Sequence, residues 1–325
     1  MMPSAILERL LCPECADRVV EEDGGFSCGN GHRLLTRDGY LDASTVAGDD
    51  VTARTFDSFG YEWTRFAELR PEDEEFWKEY FADVSLAELR GRVGLDAGCG
   101  KGRYTRFTAR HLEAMVALDG SDAIAVAARH LAHLGNVVAV RADLRRPPFA
   151  AQSFGFVSCL GVLHHLADPE AGFHALARLL APDGILLVYL YSQPQGRGLR
   201  ATCLRAATGL RKLTVRVPHP LLRLLSVPIA AALYGAFVVP GRLGQRVGSS
   251  KLSGLPLATY RGRPVRTLWL DTFDRLSAPV ERRYAWADVE PWFQRAGLRV
   301  ESVSGYAGLT IVARRIAAAD RGPET

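Results

Sequence analysis

Between residues 92 and 191, short apolar runs alternate with amphipathic helical patterns, and this alternation leaves few folds open to the chain. The runs are 93–96, 115–119, 137–141, 156–160 and 185–191, with helical patterns such as 121–133 and 169–180 between most of them. Runs this short bury as strands, whereas apolar residues recurring three and four apart mark one face of a helix. Strands that alternate with helices join a parallel sheet covered by helices on both faces. The expected class is α/β, a doubly wound and mostly parallel sheet. Ligands of such sheets sit outside the carboxyl ends of the strands. Polar residues at those ends are therefore the first candidates for function.

The first four runs each end in such residues. The first closes on Asp96-Ala97-Gly98-Cys99-Gly100-Lys101-Gly102, the pattern D-x-G-x-G-x-G. Gly98, Gly100 and Gly102 permit close backbone approach to a ligand, and Asp96 orders the turn. The second run ends at Asp119, twenty-three positions after Asp96, with Gly120 behind it. A carboxylate in that place accepts hydrogen bonds from both hydroxyls of a ribose. Asp143 and Leu144 follow the third run and suit an adenine, Asp143 toward its exocyclic amine. The fourth leads into Gly161-Val162-Leu163-His164-His165. A dinucleotide site would need G-x-G-x-x-G, but Arg103 stands where its third glycine belongs. Adjacent residues of extended backbone point to opposite sides, so at most one of His164 and His165 faces the ligand. That histidine is either a general base, since imidazole titrates near neutrality, or a wall of the pocket.

With these residues in place, the chain resembles the class I S-adenosylmethionine-dependent methyltransferases over 92–191 and again over 286–314. The second stretch reads as a helix capped at Gly297, then two terminal strands, RVESVS and LTIVAR. The resemblance implies a Rossmann-like sheet of seven strands and S-adenosylmethionine as methyl donor. It implies a donor pocket lined by Asp96, Gly98, Gly100, Asp119, Asp143 and Leu144, with Gly102, Gly120 and Gly161 beside them. One departure is Gly155, where the family usually opens its fourth strand with an aspartate; that position is not a donor contact.

Near the amino terminus stand Cys12-Pro13-Glu14-Cys15 and Cys28-Gly29-Asn30-Gly31-His32. This is C-x2-C, twelve residues, then C-x3-H. Two tight turns that each present a ligand pair suit tetrahedral zinc, and four protein ligands leave no open position, so the site is expected to be structural. So short a segment buries little surface, which would make the metal its main source of folding energy. It resembles the zinc ribbons that precede the methyltransferase domain in bacterial large-subunit rRNA guanine methyltransferases. Arg37-Asp38-Gly39-Tyr40-Leu41 is similar to a strand of small methyltransferase-partner ribbons.

Residues 43–55 read as a linker, and Phe56, Phe59, Tyr61, Trp63 and Phe66 then crowd a helical stretch. Most aromatics so spaced are core. Tyr61 and Trp63 are also candidates for covering the donor or lining the acceptor pocket, because in the methyltransferase fold the element before the first strand often crosses it. Glu72–Glu75 read as a helix start, where carboxylates suit the dipole. The expected division is a zinc ribbon (1–45), a linker with covering helices (46–91), a donor-binding core (92–191), an insertion (192–285), the returning helix and hairpin (286–314), and a disordered tail (315–325).

The insertion differs from the rest. Between Gly184 and Leu270 there is no aspartate or glutamate, against thirteen arginines and lysines, although the whole chain of 325 residues carries a net charge of only +4. Such segregation predicts an anionic partner. Over 192–266 the readings are an anionic membrane surface met by basic and aliphatic helices, an RNA backbone, or a lid or homodimer interface with solvated arginines. Few aromatics stand there for base stacking. Pro218, Pro220, Pro228 and Pro240 are expected to cut its apolar stretch short of a bilayer span. LDTFDRLSAPVERRY, which follows, resembles a segment of many bacterial methyltransferases from specialised-metabolite and surface-glycan gene neighbourhoods, placing Asp271, Asp274 and Tyr284 as candidates for the acceptor pocket. The expected acceptor is thus a small or lipid-like molecule methylated on oxygen, nitrogen or carbon, with RNA as the alternative. Glu8 and Arg9 interrupt the apolar start, so no secretory signal is expected. Six cysteines without such a signal suit a reducing compartment, so the expected location is the cytoplasm, with a peripheral place at the membrane through the insertion.

Overall fold

The computed structural model describes residues 2–22, 25–45, 49–193, 198–305 and 308–316. Two compact units make up the chain, Met1–Gln193 with Val280–Thr325, and Pro194–Pro279. The first opens with α1 (Ser4–Leu7) and four short strands, β1 (Val19–Glu22), β2 (Gly25–Cys28), β3 (Arg33–Arg37) and β4 (Tyr40–Asp42). Helices α2 (Asp50–Arg65) and α3 (Glu72–Tyr80) follow. Strands β5 (Val93–Ala97), β6 (Ala114–Asp119), β7 (Val137–Arg141), β8 (Phe154–Leu160) and β9 (Leu180–Tyr191) come next, with α4 (Thr105–Thr108), α5 (Ala123–Leu131) and α6 (Pro169–Leu179) on their connections. The second unit holds α7 (Leu199–Thr214), α8 (His219–Leu233), α9 (Val239–Arg246), α10 (Ser250–Ser253) and α11 (Val265–Ser277). The chain re-enters the first unit through α12 (Trp286–Arg295), β10 (Leu298–Ser304) and β11 (Gly308–Arg315).

The sheet runs β1-β2-β3-β4-β7-β6-β5-β8-β9-β11-β10. From β4 through β9 every pairing is parallel, and β11 then inserts antiparallel between β9 and β10. Counted from β5, the order is 3-2-1-4-5-7-6, so it reverses between β5 and β8. A crevice forms outside the strand ends at such a reversal. β5 is buried along its whole length, as a central parallel strand covered on both faces must be. Local signals set the helix ends. Asp168 caps α6 by accepting from the Ala171 N–H at 3.0 Å, Pro169 occupies its first position, and Gly297 follows α12 with φ +65°.

The expected seven-stranded sheet is present, and the amino-terminal strands extend it to eleven. The ribbon is no free-standing module: β4 pairs in parallel with β7, and Leu10 bridges to Phe149. Ile6, Leu10, Val19, Leu34 and Leu41 are buried in the same core as β5, β6 and β8, so apolar docking supplies folding energy that a detached ribbon would lack. The linker ends early, because Asp49 caps α2 by accepting from the Thr52 N–H at 2.8 Å. The insertion is 194–279 rather than 192–285. Arg315, expected in the tail, belongs to β11, while residues 317–325, the rest of that expectation, and Tyr306 lie outside the described residues. The prolines do not cut the apolar stretch. Pro218 and Pro220 lie at the start of α8 and Pro228 inside it, and a π-helical segment, Tyr234–Val238, carries the helix on into α9 with Pro240 in its first turn.

Candidate active site

At the end of β5 the chain turns sharply, with φ of +79°, +54° and +76° at Gly98, Gly100 and Gly102. No side chain fits there. A Cβ on Gly98 would lie 2.4 Å from Val162, and one on Gly102 would lie 3.0 Å from Leu131. The Gly98 and Cys99 N–H groups donate to the Leu118 carbonyl at the end of β6, at 2.8 and 3.0 Å. Beneath the loop, Asp96 is buried; Thr105 donates to its Oδ2 at 2.6 Å and Ser158 to its Oδ1 at 3.1 Å. Burial pushes the Asp96 carboxyl up to about 6 against those two hydrogen bonds. Asp96 therefore lies beneath the loop, bonded to Thr105 and Ser158, rather than facing the crevice.

Asp119, one strand over, is partly exposed. Its Oδ2 accepts from the Gly100 N–H at 2.9 Å, and its Oδ1 accepts from the Ser121 N–H and hydroxyl at 2.8 and 2.6 Å. One carboxylate thus ties the ends of β5 and β6 together at the mouth of the crevice. Burial raises its pKa, and the bonds from Ser121 and Gly100 oppose that. Gly120 is needed for packing, since a Cβ there would lie 2.4 Å from the Phe56 ring. Asp143 stands at the end of β7 but is engaged by Arg145, whose Nη2 lies 2.7 Å from Asp143 Oδ2 and whose Nη1 bridges to Asp49 Oδ2 at 3.0 Å. Leu144 is buried in the main core. Gly161 leaves β8 with φ +79°, and a Cβ on it would meet nothing within 4 Å. Open space therefore faces the end of that strand.

Helix α2 covers these strand ends. Phe56 packs on Gly120, Gly60 lies against Ser121 and Asp122, and Trp63 lies against Gly100. Lys101 and Arg103 each stand 4.9 Å from the Trp63 ring, and Lys101 Nζ donates to the Phe66 and Glu68 carbonyls at 2.8 Å each. Burial pulls the Lys101 amine down to about 7. The aromatic cluster signalled this cover in the sequence, yet the residue on the glycine loop is Trp63, while Tyr61 stacks with Arg65. Phe56 and Phe59 carried no separate signal as site residues.

After Gly161 the backbone forms a 3-10 turn, Leu163–His165, not an extended strand. A turn rotates successive side chains by about a third of a circle rather than half. The two rings therefore lie side by side, centroids 4.3 Å apart and tilted by 49°, where an extended strand would have set them on opposite faces. His165 Nδ1 lies 2.6 Å from the Val280 carbonyl, so Nδ1 carries the proton and Nε2 is the basic nitrogen. Phe59 holds the ring edge-on at 4.8 Å. His164 is fully buried, its ring tilted against that of Tyr191 with centroids 3.9 Å apart, and neither ring nitrogen has a hydrogen-bond partner among the described residues. Burial lowers its pKa well below the ordinary value, and His165 adds to that. Arg283 lies 5.0 Å from the Tyr191 ring and pairs with Glu281 at 2.8 Å. Val280, Glu281 and Arg283 reach this cluster from the segment LDTFDRLSAPVERRY, which the sequence marked out through Asp271, Asp274 and Tyr284 rather than through these three residues. Tyr284 packs on Trp292 at 5.3 Å and its N–H donates to the Tyr191 carbonyl at 2.9 Å, and Asp271 accepts from Tyr260 at 2.5 Å within the second unit.

The four amino-terminal ligand candidates also converge. One ligand atom from each of Cys12, Cys15, Cys28 and His32 lies within 4.8 Å of the others. Cys15 and Cys28 sulfurs are 3.7 Å apart, and His32 Nδ1 stands 3.6 Å from Cys12 Sγ and 3.5 Å from Cys28 Sγ. Zinc bonds in a tetrahedron give edges of about 3.8 Å between sulfurs and about 3.6 Å between sulfur and nitrogen. The donor set and these edges fit zinc. Asn30 donates to Cys15 Sγ at 3.3 Å, the kind of outer bond that orients a thiolate ligand.

Residues 95–188 match the family model described as a methyltransferase domain. The ubiquinone biosynthesis O-methyltransferase of Neisseria meningitidis serogroup C is 35% identical over 105 residues, 31% of this chain and 44% of that protein. The same-named protein of Paracidovorax citrulli is 30% identical over 152 residues, 44% of this chain and 63% of that one. The chain thus spans less than two thirds of the length of these curated relatives. Among solved structures, magnesium protoporphyrin IX methyltransferase of Synechocystis with bound S-adenosylhomocysteine is 17% identical, covers 82% of this chain and 100% of its own, and superposes with a TM-score of 0.47.

Proposed function

We propose that this chain, which belongs to the class I S-adenosylmethionine-dependent methyltransferases, transfers the donor methyl group to a hydroxyl oxygen of a small-molecule acceptor. One observation carries the donor side of this reading. The glycine loop, the partly exposed Asp119 and the open space at Gly161 all meet at the carboxyl ends of adjacent strands, where the sheet order reverses. In this reading the backbone of Gly98, Gly100 and Gly102 receives the methionine end of the donor and Asp119 the ribose, with Gly120 behind it. Asp143 and Leu144 flank the adenine, and Gly161 borders the sulfonium. Asp96 acts by holding the loop. The donor supplies an electrophilic methyl group on sulfur.

The chain's own residues then orient the acceptor and remove its proton. As the acceptor oxygen bonds to the methyl carbon and the carbon–sulfur bond breaks, the hydroxyl proton passes to His165 Nε2. The Val280 carbonyl accepts from Nδ1 and so fixes the tautomer whose lone pair is on Nε2. His164 and Tyr191 serve as pocket wall. Unlike His165, His164 has no hydrogen-bond partner among the described residues to orient its ring or hold its proton, and burial lowers its pKa well below the ordinary value. Positioning supplies most of the rate, and the base a smaller part. An oxygen acceptor follows from the fit of an imidazole base to a hydroxyl proton and from the names of the curated relatives. Incubation with methyl-labelled donor and a cell extract, followed by partition into lipid, small-molecule and RNA fractions, tests it. Label is expected among small or lipid-soluble molecules on an alkali-stable ether; label in RNA overturns the acceptor class.

The cysteine–histidine cluster is proposed to hold one structural zinc through Cys12, Cys15, Cys28 and His32 Nδ1. All four tetrahedral positions then belong to the protein, so the ion takes no part in the reaction. Elemental analysis should find about one zinc per chain, lost in Cys12→Ser with a fall in Tm. A folded, metal-free wild-type protein with the same Tm after chelation argues against it.

A further inference from the structure

The second unit presents an apolar face to its surroundings that its own packing leaves uncovered. From His219 to Arg246 the chain is helical for 28 residues, long and apolar enough by length and composition to cross a membrane, yet only 22% of its most apolar eighteen-residue window is buried. A core helix of a water-soluble protein would be mostly covered. Here Leu222, Ser226, Ala230 and Val238 point inward, and Ala230 and Val238 pack with Leu268 of α11. Trp269 of α11 fastens the pair by donating to Ser226 Oγ at 2.8 Å. On the outer side stand Leu221, Leu224, Leu225, Val227, Val239 and Leu243, Leu224 being 67% exposed. No charged residue occurs from Leu224 to Gly241.

Cations flank both ends of this face. Lys212 and Arg216 precede α8, and Arg246 and Lys251 end and follow α9; all four are exposed and none has an ion-pair partner among the described residues. Leu213, 65% exposed, stands beside Lys212. Aliphatic side chains outward, cations at the margins and no acid between Gly184 and Leu270 match the chemistry of an anionic lipid surface.

We infer that the outer face of α8 and α9 docks the protein on anionic phospholipid bilayers, lying in the interface rather than crossing it. Crossing is disfavoured by α11, which packs along the inner face and carries Asp271, Asp274 and Arg275. A span would draw those groups into hydrocarbon, whereas a helix lying flat leaves them on the water side. A second copy of the chain is a poorer occupant, since a two-fold contact would set the cationic margins against each other. RNA suits the cations but gains nothing from exposed leucines. The inference stands apart from the methyl-transfer reading, because it concerns only the second unit.

Flotation of the full-length protein with vesicles tests it, using phosphatidylcholine alone and phosphatidylcholine mixed with phosphatidylglycerol. The protein is expected to float with the mixed vesicles, to stay behind with the neutral ones, and to be released by salt. Leu224→Glu with Leu225→Glu should reduce the bound fraction at least tenfold, roughly what losing two buried leucines implies. Each of Lys212→Gln and Arg246→Gln should reduce it about fivefold. Donor affinity by calorimetry should stay at the wild-type level in all these variants, which shows that they fold and separates this test from that of the methyl-donor site. Failure of wild type to float with mixed vesicles overturns the inference, as does undiminished binding by the double leucine variant. So does a leucine variant that instead converts a dimer to a monomer in the ultracentrifuge, or tighter binding to RNA than to vesicles that ignores the leucines.

Discussion

Thr105 and Ser158 each hydrogen-bond the Asp96 carboxylate, yet burial still raises its pKa from 3.8 to about 6. The folded protein therefore holds this proton more tightly than the unfolded chain does. Stability tied to Asp96 is fully present below about pH 4 and declines as pH climbs through about 6. Asp96→Asn keeps the shape and removes the charge. Its stability relative to wild type is expected to grow across that window by roughly 3 kcal/mol at most, at about 1.4 kcal/mol per pK unit. Urea midpoints measured below and above the window check this, and parallel profiles for the two proteins would contradict it. The two histidines separate by kinetics. His165→Ala should lower kcat by about 10²–10⁴ with donor affinity retained, whereas His164→Phe should keep kcat within about tenfold, as a wall residue would. A larger loss at His164 would exchange the two roles.

Among the elements, α2 contributes most to the site beyond the sheet. Trp63 lies against Gly100 and beside both Lys101 and Arg103, so Trp63→Ala opens the cover over the glycine loop. Donor affinity should drop about tenfold and stability by roughly 1–2 kcal/mol, the cost of uncovering part of a large ring; thermal melts and calorimetry read the two separately. This helix was legible as a cluster of aromatics, because five rings in eleven residues need a surface to cover. Which ring meets the loop was not legible, since periodicity gives a face and not its rotation. The central strands were legible for a simpler reason: β5, β6, β8 and the later part of β9 are buried almost throughout and must read as apolar runs. By contrast, the pairing of β4 with β7 joins segments about a hundred residues apart through three residues, and no local pattern encodes it. The turn at Leu163–His165 hid likewise, because strand alternation was extended one step past the strand's end. Prolines misled in the insertion, where a π-helical segment and first-turn placement let the helix continue through them.

At the scale of the molecule, charge and chemistry are divided between the two units. The first carries the sheet, the crevice proposed for the donor, the two histidines and the cysteine–histidine cluster. The second holds the long acid-free stretch and the uncovered apolar helix. A fold of this class fixes the donor through its strand ends and leaves the acceptor to its additions, which is why the donor motifs could be read at once and the acceptor could not. The donor site proposed at the ends of β5, β6, β7 and β8 underlies all of the methyl-transfer roles. It is tested most directly by titrating S-adenosylhomocysteine into the purified full-length protein in a calorimeter, beside the Asp119→Ala variant. One molecule should bind per wild-type chain, and the variant should bind at least about tenfold more weakly, having lost a charged hydrogen-bond acceptor and the tie to Gly100. A folded wild-type protein that releases no heat, or a variant that binds as well as wild type, would contradict the account.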